Sequence, residues 1–367
     1  MRAALRDPDV LIPALCLAQL AFLVVFANHF YLERGMIGGN ADLYAYARER
    51  LSVFGLSPDF YDAQYQNAAY DDSIDYLVAI AGAETREPFR FRVIYIWLIQ
   101  GLTALTSDCE TIRSGCGLKA AAFAAKLVNW GGIVATFAVL LAAAPVSRRG
   151  SPATLALALA GAFSFGTLMT APFVMADILC GLIFALAALF YLQHRFVALV
   201  ATVAVGVLIK DISIVLGILV AAELFRAKRR PLALILAVGV APIAVFVGVR
   251  LLMGGDPLSL NYGWEVSRGE FEIRYLYYHA TDSFSPFLLK AILGAGIAGI
   301  IYIVILHHNR YKSNTLIPFA VVWIGMLFVN LFLASGVVRV QSPLAAMFAT
   351  VLIWHGLGAN RAQRNAT

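Results

Sequence analysis

Two arginines enter an apolar run in Pro88-Phe89-Arg90-Phe91-Arg92-Val93, and the guanidinium is the side chain best suited to holding a phosphate through two parallel hydrogen bonds. The same residues could instead snorkel to lipid headgroups, which requires no site. Lys210-Asp211 separates two apolar segments and Arg339 opens the last one, so these cations are candidates to join the arginines in one pocket. Asp42 follows Asn40, which can cap a helix carrying Leu43, Ala47, Leu51 and Phe54 at helical spacing. In that first turn the helix dipole favours an ionised carboxylate, as a proton acceptor or cation ligand requires. A plain capping acid on a surface helix has the same sequence. Lys126 lies seven residues beyond Lys119, about 10 Å further along one helix at ~1.5 Å per residue. A lysine at that depth needs a partner, and Asp177 is one candidate.

Tyr31, Tyr44, Tyr46, Tyr61, Tyr65, Tyr70 and Tyr76 crowd one segment, where tyrosines either anchor interfacial chain or stack on a sugar ring. Cys109 and Cys116, with six residues between them in a hydrophilic stretch, are expected to form a disulfide in an oxidising compartment. Cys16 and Cys180 fall in apolar runs and are expected to pack as small apolar groups. The six histidines show no metal-ligand spacing, so no cofactor is certain and a divalent cation stays open.

These residues must be positioned by a chain of 367 residues, 61% apolar and 14% charged, with a mean hydropathy of +0.79. Soluble domains have about 45–50% apolar and 25% charged residues, so an ordinary soluble enzyme is excluded. Uncharged stretches such as Val10 to Leu32 and Gly150 to Ala176 approach or exceed the ~20 residues that cross a bilayer. The net charge of +6 falls largely in short loops, where it sets orientation and gives no nucleic-acid signal. The first apolar run is longer than the ~7–15 residues of a secretory signal and is expected to be a retained helix.

Placing Arg148-Arg149, His194-Arg195, Arg226 to Arg230, His307 to Lys312 and Arg361 to Arg364 on the cytoplasmic side puts both termini inside. Ten crossings satisfy this: 10–31, 118–145, 152–171, 174–192, 196–209, 212–225, 232–252, 286–306, 315–335 and 339–357. Segment 90–107 is expected along the outer membrane surface or re-entrant. Segments 196–209 and 212–225 are short, and are read either as two helices meeting at Lys210-Asp211 or as one bent span. The expected fold class is an all-α, polytopic integral membrane protein in which 1–367 form one transmembrane domain. Two large loops, 32–117 and 253–285, share the extracytoplasmic side, and the first carries amphipathic helices from Asp42 and from Asp71-Asp72-Ser73. Gly294-Ala295-Gly296-Ile297-Ala298-Gly299 matches the dinucleotide fingerprint in letters, but it follows no strand, and close helix packing explains the glycines better.

The order of Asp42-Leu43-Tyr44-Ala45-Tyr46-Ala47, Pro88-Phe89-Arg90-Phe91-Arg92, Ala176-Asp177-Ile178, Lys210-Asp211 and Arg339 with Pro343 resembles the GT-C class of membrane glycosyltransferases. The resemblance covers most of the chain. It implies a polyprenyl-phosphate sugar donor, a lipid, glycan or protein acceptor, and Asp42 as base on the acceptor hydroxyl. Arg90, Arg92, Lys210 and Arg339 would hold the lipid phosphate, and Tyr44, Tyr46, Lys126, Asp177 and Asp211 would complete the substrate site. The sequence departs from the class in having Asn40-Ala41 before Asp42 instead of a second acid, which leaves Asp62, Asp71, Asp72 and Glu87 as rival bases. A lipid-linked sugar flippase and a non-catalytic assembly protein are the competing readings. Composition points to a bacterial inner membrane with a periplasmic active face.

Overall fold

The computed structural model describes residues 8–36, 41–58, 71–85, 89–171, 173–226, 231–255, 284–307, 317–331 and 337–355. All regular structure among them is helical. The helices are α1 (Pro8–Met36), α2 (Ala41–Val53), α3 (Asp71–Ile80), α4 (Val93–Thr106), α5 (Gly115–Ala143), α6 (Pro152–Ala162) and α7 (Phe165–Thr170). They continue as α8 (Asp177–Leu192), α9 (Phe196–Ile209), α10 (Ser213–Arg226), α11 (Leu232–Leu252), α12 (Phe284–His307), α13 (Ile317–Leu331) and α14 (Val337–Trp354). Among the described residues three stretches, Gly115–Ala143, Leu232–Leu252 and Phe287–Ile305, are long and apolar enough to cross a bilayer. A helix satisfies its own backbone, which is why apolar runs of this kind adopt it in lipid.

Among the described residues two main apolar cores stand beside a minor one around Phe287 and Ala291. The larger joins α1, α5, α6 and α8 to α14, with Phe184, Leu199, Tyr302, Phe348 and Ala349 buried at its centre. The smaller lies under α2, α3 and α4, where Leu51, Ile74, Tyr76, Tyr95 and Ile99 meet the start of α5 and of α8. Close approach in the larger core depends on missing side chains: a Cβ on Gly161 would come within 2.5 Å of the Ala349 Cβ.

Each of the ten expected segments overlaps helix, and two of them are broken. Segment 152–171 is two helices, because Phe163 leaves helical geometry (φ −104°, ψ 65°) and the Ser164 hydroxyl accepts from Thr167 N–H to start α7. A second break falls inside α12, where Gly296 takes φ 64°, ψ −171°. Gln19 of α1 links both breaks: its amide nitrogen donates to Ala160 O at 3.2 Å and Phe163 O at 3.5 Å, and its oxygen accepts from Ile297 N at 2.6 Å. The glycines of 294–299 thus do more than allow packing. Gly296 supplies a left-handed backbone that a side chain would strain.

Lys210-Asp211 is the corner of a helical hairpin. Lys210 is extended (φ −161°, ψ 132°) and ends α9, Ser213 N and Ile214 N bond back to Lys210 O and Asp211 O, and the two helices then pack on each other and on α11. Gly206 makes the approach possible, since a Cβ there would lie 2.8 Å from Ser213 Oγ. Helix α4 has 14 residues, about 21 Å at ~1.5 Å per residue and short of the ~30 Å hydrocarbon layer. One side of α4 packs on α5, and the other leaves Trp97, Leu98 and Leu105 exposed.

Helix α3 departs from the expected interfacial helix. Residues Ser73 to Ala81 are all buried, so no amphipathic face is left for a membrane surface. Its buried carboxylate is matched within the protein: Arg50 Nη2 of α2 reaches Asp75 Oδ1 at 3.0 Å, and Thr85 Oγ1 donates to the same oxygen at 3.2 Å.

Candidate functional site

The site grows from the ends of helices. Asp177 opens α8, Lys210 and Asp211 form the corner after α9, Arg250 closes α11, and Arg92 precedes α4. All five side chains are buried. Lys210 Nζ pairs with Asp177 Oδ1. Asp211 stands between two guanidiniums, with Arg92 Nε 3.9 Å from one oxygen and Arg250 Nη2 3.9 Å from the other. Three cations therefore face these two carboxylates, and Asp72 adds a further acidic charge acting on Arg92.

Aromatic rings wrap the guanidiniums and replace part of their hydration. Arg92 Cζ lies 4.8 Å from the Phe89 ring and 5.4 Å from the Tyr76 ring, and its Nη1 donates to the Tyr76 hydroxyl. Arg250 Cζ lies 4.0 Å from Phe246 and 4.8 Å from Phe91. Desolvated contacts of this type contribute about 2 kcal/mol each. Tyr76 packs edge-on against Phe89 and Tyr95, and burial pushes its phenol above the ordinary value, with the Arg92 charge opposing. Tyr95 in turn donates to Asn129 Oδ1 at 3.4 Å, and Asn129 Nδ2 donates to Phe173 O at 2.7 Å. These bonds tie α4 to α5 and to the approach of α8.

Within this group Arg92 Nε and Asp211 Oδ2 are among the buried atoms with no hydrogen-bond partner among the described residues. Ion pairing at 3.9 Å supplies attraction but no hydrogen bond. Each such group costs about 1–3 kcal/mol of lost hydration. One is a donor and one an acceptor, so both would be satisfied by a molecule bearing an oxyanion and a hydroxyl.

The structure brings together some expected residues and not others. Arg92, Lys210, Asp211 and Asp177 meet. Asp177, one candidate partner for Lys126 in the sequence, pairs with Lys210; Lys126 is half-buried on α5 and makes no ion pair with a described residue. Arg90 is half-buried beside the group, its guanidinium 4.7 Å from the Phe91 ring. Asp42 lies in the first turn of α2, and Arg339 in the first turn of α14, while their side chains and those of Tyr44 and Tyr46 lie outside the described residues, as do Asn40, Asp62, Glu87 and segment 256–283. Tyr76, expected at the interface or on a sugar, is fully buried as a partner of Arg92. Among the described residues no group of three or more His, Cys, Asp or Glu is placed to hold a metal.

Arg250 escaped the sequence reading. Its signal was a lone charge at the end of an apolar run, four residues after Phe246, and a basic residue there reads equally as a helix end at the membrane surface. The expected disulfide is present between Cys109 and Cys116. Its loop is fixed in place by Arg113, whose Nε and Nη2 donate to Ala81 O and Gly82 O, both at 3.1 Å, at the end of α3. Gly117 lets the loop close on α5, since a Cβ there would lie 2.2 Å from Thr111 O.

The chain matches no family model, no curated protein and no solved structure.

Proposed function

We propose that the protein is a membrane glycosyltransferase of the GT-C type, moving a sugar from a polyprenyl-phosphate donor to an acceptor hydroxyl on the extracytoplasmic side of a bacterial inner membrane. The observation that carries this reading is the buried group of Arg92, Lys210 and Arg250 around Asp177 and Asp211, with a donor and an acceptor that find no hydrogen bond among the described residues. A sugar phosphodiester brings one negative charge, phosphate oxygens for Arg92 Nε and hydroxyls for Asp211. Arg90 and Arg339 extend the cationic surface, and Lys126, Tyr44 and Tyr46 belong to its surroundings.

In the reaction Asp42 takes the proton of the acceptor hydroxyl as its oxygen bonds to the anomeric carbon. The bond from that carbon to the phosphate oxygen breaks, and its electron pair leaves on the lipid phosphate. Preorganised cations stabilise that growing charge, and a single displacement inverts the anomeric configuration. The ten-crossing arrangement, both termini cytoplasmic, places segments 32–117 and 253–285 on the reacting side.

Asp42→Asn tests the reading: transfer of labelled sugar from polyprenyl-phosphate-sugar in membranes falls at least about a hundredfold while expression and lipid binding persist. Full activity in that variant overturns the base assignment. A flippase reading draws on a different observation, the break of α12 at Gly296, because interrupted helices line the pathways of many transporters. A flippase would keep its activity in Asp42→Asn.

A further inference from the structure

A separate cavity of about 390 Å³ opens beside Arg90, within the ~300–1,000 Å³ typical of small-molecule sites. Helix α4 forms one wall with Val93, Ile96, Trp97 and Gln100 at helical spacing, and Glu84, from the turn after α3, shares the lining with Arg90. Trp97 is 65% exposed. Gln100 is held by its Nε2 donating to Ile80 O at 2.7 Å, which leaves its oxygen as an acceptor.

The charges decide the ligand class. Arg90 alone would favour an anion, but a carboxylate shares the lining and repels one. A neutral ligand with several hydroxyls gains from both, donating to Glu84 and Gln100 and accepting from Arg90, and a ring with an apolar C–H face packs on an indole. A sugar ring has these properties. Phe91 connects the cavity to the buried charges: Arg90 lies 4.7 Å and Arg250 4.8 Å from that one ring.

We infer that this cavity binds a neutral sugar residue, the acceptor of the transfer proposed above; its chemistry stands on the lining residues, and its role as acceptor site rests on the transferase reading. The test uses the full chain in nanodiscs and the methyl glycosides of glucose, galactose, mannose and arabinose, with saturation-transfer NMR as readout. Saturation passes to at least one glycoside. Trp97→Ala and Glu84→Gln each weaken that binding roughly fivefold or more, while Trp97→Phe, which keeps an aromatic face, retains most of it. No saturation of any glycoside above empty nanodiscs overturns the inference, as does binding that survives both Trp97→Ala and Glu84→Gln unchanged. Displacement of the glycosides by glycerol 1-phosphate also overturns it, by assigning the cavity to anionic headgroups. Sugar transfer by the same samples separates the two readings: transfer that proceeds at the wild-type rate in Trp97→Ala and Glu84→Gln sinks the acceptor site and keeps the transferase, whereas binding lost in both variants with no transfer from the wild type keeps the sugar site and sinks the transferase.

Discussion

Lys210 and Asp177 illustrate what a buried pair does for this protein. Removing one partner strands the other charge away from water, at about 3–5 kcal/mol. Lys210→Met is therefore expected to lower the unfolding temperature markedly, and Lys210→Met with Asp177→Leu to restore much of it, as thermal unfolding in detergent would read. A double variant as unstable as the single one would show that the pair contributes more than mutual neutralisation. Tyr76 gives a pH prediction with a definite sign. Burial raises its folded pKa above the ordinary value of 10.0, so its contribution is intact below pH 10 and is lost as pH rises beyond it, because only the unfolded chain then releases the proton. Unfolding midpoints should fall above pH 10, and Tyr76→Phe should flatten that fall while costing stability through the lost Arg92 bond.

Among the elements, the broken helices depend on single residues in a neighbour. Gln19 supplies one acceptor and one donor to the interrupted ends of α6 and α12, and Gln19→Leu leaves those backbone groups unmatched at about 1–3 kcal/mol each. Gly296→Ala forces a side chain into left-handed backbone at roughly 1–2 kcal/mol and puts its Cβ 3.0 Å from Gln19 Oε1. Both variants should unfold earlier, the first with faster hydrogen exchange at Ile297. The disulfide acts on another element. Reducing Cys109–Cys116 frees a short loop, worth roughly 2–3 kcal/mol by loop entropy, and should loosen Arg113 from the end of α3, read as faster amide exchange over 77–83.

For the whole molecule, the proposed orientation makes opposite ends of the bundle distinguishable from outside the cell. Val53 on α2 is 70% exposed, and Ser147 is exposed beside Arg148-Arg149. Cys16 and Cys180 are buried and give little background. Val53→Cys should react with a membrane-impermeant thiol reagent in intact cells, and Ser147→Cys only after permeabilisation. Labelling of both in intact cells would overturn the arrangement, and labelling of Ser147→Cys alone would reverse it.

The sequence by itself determined the helices and the lipid setting, because a run of apolar residues has one way to satisfy its backbone in a bilayer. It also pointed to the Cys109–Cys116 bridge and to a break at Lys210-Asp211, since local spacing and a charge between two short apolar runs are visible in one dimension, while the choice of a hairpin corner over a bent span came from the packing. Partnership was not visible there. Arg92, Lys210 and Arg250 reach one pair of carboxylates from residues far apart in the chain, and charges choose partners by distance through a medium of low dielectric, whatever their separation in sequence. The same reason hid Tyr76 beneath Arg92 and turned α3 from an expected surface helix into a buried one. Only the tertiary structure decides which polar face is covered, because the covering groups, such as Arg50 over Asp75, come from other elements.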